Sequence, residues 1–416
     1  MYNLHLTAEQ LEFRDTLRDF VEREIKPAAL RPARLEPFEK PLLKDLLDQA
    51  SQMGLRTLSL SEEAGGSGAD TLTSCIVLEE LASGDVDLAV ALGQTAILGR
   101  ALFDEAMTSE QRKRFGKQFA EDDQYHLALA GRDGGTDIGW CYHRPLAEET
   151  GNEPVAVKQG NDWVVNGSIA FVSNAPIAKL IVVQVRTDPK KTGMNGVSTL
   201  LVPRDAPGLT VGAPTGPFGA SGTQVNWRHG TGSEVVFKDC KVPAENLVGK
   251  QGQTPLASPT HVARGAVGMA AINLGVGRAA FETAVDYAKM RRQGGRNIVE
   301  HQAIGTKLAD VAVKLEVARN MVWKAAWVAD HPEAVADRSV SDLPLHVVAR
   351  TFTAEAMHRA ALEAAECFGA MAVMRDMPLQ KYVHDTLVLL HYADNDSASS
   401  LQIAEAIAGY ERGKAA

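Results

Sequence analysis

The 416-residue chain is predicted to be an α+β protein, with helical blocks on either side of a small β-rich middle. Three observations carry that expectation. Between about Gly151 and Asn246 the chain turns to short runs of β-branched and aromatic residues, notably "GNDWVVNGSIAFVSNAPIAKLIVVQVRTDP" and "GSEVVFKDCKVPAENLVG". On both sides apolar residues recur at helical spacing over long stretches. The periodicity changes only twice, which divides the chain into blocks 1–125, 126–248 and 249–416.

The elements follow in order. Thr7 and Gln10 form a capping-box pair. Leu11, Leu17, Phe20, Val21 and Ile25 then lie near one face until Pro27 closes the pattern. A second helix is expected from Pro41 to Met53. The stretch "LSEEAGGSGAD" after it is a turn rather than a phosphate cradle, because no buried strand precedes it and no Gly-Lys-Ser/Thr follows. Helices are expected over Thr71–Ser83, Leu88–Glu105 and Ser109–Glu121.

In the middle block, Asn166-Gly167 is expected at a hairpin tip, since a type I′ turn needs positive φ at both central residues. "LIVVQV" and "STLLV" are nearly unbroken apolar runs of the kind found in strands covered on both faces. Pro207-Gly208 and the long polar stretch from Gly216 to Gly232 are loops. Within the second, Trp227, Arg228 and His229 are either ligand contacts or an exposed cluster. A long helix rich in small residues starts near His261. The next places Ile304, Leu308, Val311, Leu315, Ala318, Val322 and Ala325 on one stripe before Pro332. Helices over Leu343–Cys367 and Leu379–Leu390 lead to the break "HYADNDSASS" and a last helix.

Composition excludes several classes. Hydrophobic residues make up 45% and charged residues 23%, as in an ordinary soluble enzyme. A formal net charge of −9 argues against a nucleic-acid partner. Cys75, Cys141, Cys240 and Cys367 lie far apart, so neither a zinc site nor a disulfide framework follows, and a cytoplasmic location is expected. The opening "MYNLHLTAEQLEF" lacks the charge and apolar core of a signal peptide, and no run of eighteen apolar residues predicts a membrane span.

"VVNGSIAFVSNAPIAKLIVVQVRTDP", "VFKDCKVPAENLVG" and "YAKMRRQGGRNIVEHQAIGTKLADV" together resemble the acyl-CoA dehydrogenase family over nearly the whole chain. The resemblance implies an N-terminal helical domain, a middle β-barrel or sandwich and a C-terminal four-helix bundle. It also implies FAD as cofactor, an acyl-CoA substrate, and a homotetramer or a hetero-oligomer with a sister chain. In "ALAGRDGGTD" it places Leu129 and Ala130 along the flavin ring and Thr136 at the pyrophosphate. Phe171 takes the place of a family Trp against the ring, and Ser173 that of a Thr. Arg291 corresponds to the family arginine that reaches the diphosphate or adenosine of a neighbouring subunit's FAD, and Gln302 keeps a family amide. Glu366 and Gly369 stand where a Gln-x-x-Gly-Gly turn accommodates the adenosine, with Glu366 in place of the Gln. The loop departs from the pattern at Gly131-Arg132-Asp133, where the family has Glu-Pro-Gly.

The largest departure concerns the base. The family's usual reaction needs a carboxylate against the substrate α-carbon, commonly the Glu of a Tyr-Glu-Gly-Thr run. Here the run is Tyr392-Ala393-Asp394-Asn395, and the family's second location for a base holds Ala263-Arg264. Asp394 is the nearest remaining carboxylate and the candidate catalytic residue. Three readings stay open on these residues: an acyl-CoA oxidoreductase with a non-standard base, a flavin monooxygenase, and a non-catalytic partner subunit.

Overall fold

The Thr7–Gln10 capping box forms as expected and opens α1 (Ala8–Phe20). In the computed structural model, which describes residues 5–32, 41–131, 154–191, 193–213, 229–374, 376–391 and 397–409, α1 continues through a π-helical turn at Val21–Ile25 into α2 (Lys26–Ala29). Pro27 therefore does not stop the helix. It sits in the first turn of α2, directly after the π-helical turn. Leu17, Val21 and Ile25 are buried, while Leu11 is turned outward. α3 (Lys44–Gln52) precedes the glycine-rich turn, which Ser61 caps and in which Gly65 and Gly68 take positive φ. Then follow α4 (Thr71–Gly84), α5 (Val86–Gly99) with a π-helical extension to Ala106, and α6 (Ser109–Glu121).

Among the described residues eight strands build the middle sheet: β1 (His126–Ala130), β2 (Val155–Gln159), β3 (Asp162–Ser173), β4 (Ala178–Arg186), β5 (Val197–Pro203), β6 (Leu209–Val211), β7 (Gly232–Pro243) and β8 (Leu247–Val248). Their order is β6-β7-β3-β2-β4-β5-β8, with β1 parallel to β4 beside β2. β4 and β5 are covered on both faces. Ile181, Val183, Leu200 and Val202 enter the sheet's own core, whereas Leu180, Val182 and Leu201 pack on α5 and α6 with Leu102 and Phe119.

The hairpin tip is not at Asn166-Gly167. β3 runs straight through those residues, and the β2–β3 turn falls at Gly160-Asn161, with Gly160 at φ +61°. Asn166-Gly167 instead marks a register shift against β7. There the Asn166 amide donates to Asp239 Oδ1 (3.2 Å) and the Asp239 N–H donates to Asn166 Oδ1 (2.8 Å).

The remainder is helical: α7 (Pro259–Met290), a short ribbon of β9 (Arg292–Gln293) and β10 (Arg296–Asn297), α8 (Gln302–Asp330), α9 (Glu333–Ala336), α10 (Leu345–Phe368), α11 (Leu379–Leu390) and α12 (Ser397–Ala408). The predicted α8 stripe is buried from Leu308 to Ala325. One apolar core joins Leu81 and Leu88 of the first block to Ala271, Ala364 and Leu379 of the last, so the two helical blocks pack directly on each other. Val86–Ala106 is long and apolar enough to cross a membrane, but 78% of that window is buried inside the protein, as in a core helix.

Candidate active site

A cavity of about 530 Å³ opens where β1, α5 and the first half of α7 converge, within the size range of small-molecule sites. Its walls are mostly apolar: Ile97, Leu98, Leu127, Leu129, Leu256, Met269, Ile272 and Leu389. Gly265 faces open space, whereas Gly93 and Gly268 let Leu78 and Ile97 pack against the helices beside it. Polar groups converge from several elements: Gln94 of α5, Ser173 of β3, Gln184 of β4, His261 and Asn273 of α7, and Arg350 of α10.

Local geometry explains why β1 offers this wall. Among the described residues β4 is its one pairing strand, which leaves the other edge of β1 without a described strand. The Leu127 N–H leaves that edge and donates to Thr95 Oγ1 (3.3 Å). By the two-residue period of a strand, the Leu129 N–H points off the same edge, beside a side chain that is 37% exposed. Asn174, fully buried at φ +63°, ends β3 and fixes Ser173 at the rim. Its amide donates to Ala91 O (2.7 Å) and Thr95 Oγ1 (3.3 Å). Two donors already occupy the Thr95 oxygen, so its own O–H is available to His126 Nδ1 at 3.3 Å. Burial, reinforced by the Arg56 charge, pushes His126 from 6.5 down to about 4, so the ring is neutral at pH 7.

The residues singled out in the sequence fall into two groups. Leu129 and Ser173 line the cavity. Ala130 follows on β1 but turns its methyl into the sheet core. Phe171 shares a sheet face with Ser173. Its ring lies on Gly232 of β7, where an added Cβ would come within 2.3 Å of it. The other group gathers at the far end of the helical bundle. Arg291 caps the C-terminus of α7, Gln302 begins α8, and Glu366 pairs with Lys307. Gly369 takes φ +59° just beyond α10, and Tyr287 stacks on Phe368 at 3.9 Å. Asn273 and Arg291 are eighteen residues apart on α7, about 27 Å along a helix axis.

Thr136, Ala393 and Asp394 lie outside the described residues, as do Trp227 and Arg228. His229 is described and buried. It bridges Asp87 Oδ1 (3.1 Å) and the Asp385 carbonyl (2.9 Å), so it ties the sheet to the helices. Arg264 is engaged away from the cavity by Asp330 (3.2 Å) and Glu105. Sequence reasoning missed His261, Asn273, Gln184 and Arg350. The lone Asn in "GMAAINLGVG" and the His at the start of α7 were the available signals.

Three family models match in succession: the acyl-CoA dehydrogenase N-terminal domain over residues 7–123, the middle domain over 147–240 and the C-terminal domain over 256–408. The short-chain specific acyl-CoA dehydrogenase of Clostridium acetobutylicum is 30% identical over 405 residues, covering 96% of this chain and 98% of that protein. The chain belongs to the acyl-CoA dehydrogenase family. An acyl-CoA dehydrogenase of Bacillus subtilis is 29% identical over 409 residues, 98% of this chain and all of that protein. The solved butyryl-CoA dehydrogenase of Megasphaera elsdenii superposes with a TM-score of 0.80 at 26% identity, over 98% of this chain and 99% of that one. The three blocks seen in the structure, helical, sheet and helical, are those of the family fold.

Proposed function

We propose that this family member oxidises an acyl-CoA thioester between its α and β carbons, with FAD as the acceptor, in the cavity between β1 and α7. The observation that carries the reading is the edge of β1 without a described strand facing an apolar cavity, with a hydroxyl and amide groups at its rim. That arrangement fits a flat ring bearing carbonyl oxygens. The main chain at Leu129 and the Ser173 hydroxyl would hold such a ring by hydrogen bonds without adding charge. When bound, the flavin supplies hydride acceptance.

The chain's own residues do the rest. Leu127, Leu129, Met269 and Leu389 exclude water from the reacting carbons, which strengthens each polar contact inside. Gln94, Gln184, Asn273 and Arg350 offer donors to a thioester carbonyl. The buried Asn273 Oδ1 has no partner among the described residues, which favours a donor supplied by ligand or water. Arg291, Gln302, Glu366 and Gly369 would serve the cofactor of a second copy, which is why we propose an oligomer. Thioester oxidation is preferred to the monooxygenase and partner-subunit alternatives because the similarity to acyl-CoA dehydrogenases runs through all three blocks.

The test is an anaerobic titration of the FAD-loaded protein with a chain-length series of acyl-CoA thioesters. The oxidised-flavin absorbance is expected to bleach in proportion to thioester added, with enoyl-CoA as product. A flavin that stays oxidised with every thioester, yet reacts with oxygen after external reduction, would favour oxygenation.

A further inference from the structure

The cavity presents a chemical problem that the sequence does not resolve. Among the described residues that line it there is no carboxylate. The ionisable groups are His261 and Arg350, and a guanidinium cannot take up a proton near neutral pH. His261 stands in the first turn of α7, with its N–H donated to the Ser258 cap (3.3 Å). Its ring is half-buried, and Nδ1 is fully buried with no hydrogen-bond partner among the described residues. Nε2 is then the ring nitrogen able to meet a ligand.

Resting on the thioester reading above, we propose that His261 is the residue that takes the α-proton of the substrate, in the place of the family's carboxylate. In that step the Cα–H bond breaks and a Nε2–H bond forms. The electron pair left on Cα delocalises onto the thioester carbonyl, whose oxygen meets the donors of the cavity rim. The step consumes no oxidant, so it is separable from hydride transfer.

The setting keeps the ring ready to accept. Burial lowers His261 below the ordinary imidazole value, Glu105 opposes that shift, and Arg264 adds to it. The positive end of α7, where His261 stands in the first turn, also disfavours an imidazolium. The ring is therefore neutral at pH 7. A base of lowered pKa abstracts a weakly acidic proton less readily than one matched to the task. The thioester carbonyl must therefore be well bound for the step to proceed.

The experiment uses the FAD-loaded protein and methylthioacetyl-CoA, a thioester with an α-proton but no β C–H to lose. Exchange of its α-hydrogens in D₂O is followed by NMR, and its Kd by calorimetry. The wild-type protein is expected to bind and exchange, with the rate falling as pH drops through a value below 6.5. His261→Gln should lose at least about a hundredfold in exchange, with Kd changed less than about threefold and FAD content unaltered. His261→Gly should recover exchange with added imidazole, which guards against loss through misfolding. The proposal is overturned if His261→Gln exchanges at the wild-type rate, if Asp394→Asn abolishes exchange, or if wild-type protein binds the thioester without exchanging it. A wild-type protein that binds no thioester overturns the thioester reading itself, and this proposal with it.

Discussion

Thr95 shows how far a single side chain reaches at this site. One hydroxyl holds the edge of β1 through Leu127, the end of β3 through Asn174 and the ring of His126. Nothing in "LGQTAIL" marks that residue, because its partners lie far away in sequence and meet it only after the sheet docks on α5. Ser173 and Leu129 were legible through the family resemblance of the runs that hold them, not through any strand pattern. His261 and Asn273 were not, since a polar residue on a helix has no visible direction until its neighbours are placed. His126 yields a prediction at this scale. Its folded value near 4 lies below the 6.5 of the free side chain. Between those values the unfolded chain binds a proton that the folded one refuses, so stability rises with pH across that window and is flat above it. His126→Gln should remove up to about 3 kcal/mol of that dependence. Thermal melts at pH 7, 6, 5 and 4.5 would show it as a shallower slope than wild type. Parallel slopes would mean that the ring is not held neutral.

At the level of elements, helix periodicity was the strongest signal. The α8 stripe, the α6 limits and the start of α7 all follow from apolar spacing and caps. Turn chemistry was the weaker guide. Asn166-Gly167 carries a type I′ signature, yet Asp239 on β7 captures the Asn side chain and the strand continues. The two-residue turn appears instead at Gly294-Gly295 in the β9–β10 ribbon, with φ +58° and +84°. Small residues in α7 have a packing cause that the sequence only hinted at. A Cβ on Gly275 would come within 2.2 Å of the Glu79 carbonyl and 2.9 Å of the Ala82 Cβ on α4. Gly275→Ala should therefore force α4 and α7 apart, even though Ala is the better helix former. The expected net cost is about 1–3 kcal/mol of overpacking, seen as a lower melting temperature. A melting temperature equal to wild type or higher would show that the contact gives way freely.

For the molecule as a whole, the bond between the two helical blocks is electrostatic as well as apolar, and it was invisible in the sequence. Glu79 and Glu80, neighbours on α4, turn inward to Arg18, Arg278 and Arg319 from three other helices. Arg278 forks onto both Glu80 oxygens at 3.0 and 2.7 Å, a two-point contact that only a guanidinium makes. Burial pushes the Glu80 carboxyl up, but the bonds from Arg18 and Arg278 outweigh it and hold it below the ordinary carboxylate range. A carboxyl depressed on folding adds stability that is complete above its unfolded value. That stability is lost as pH falls through the folded one, so acid should loosen the two helical blocks from each other while the apolar cluster inside the sheet holds longer. Glu80→Gln keeps the shape and removes the charge. It leaves Arg278 buried with Glu79 as its main counter-charge, and a broken buried pair costs about 3–5 kcal/mol. The variant should melt well below wild type at pH 7 and lose less than wild type between pH 5 and 3. A variant that melts with wild type at neutral pH would mean that the apolar core alone joins the blocks, and that these arginines are held there by geometry rather than holding it.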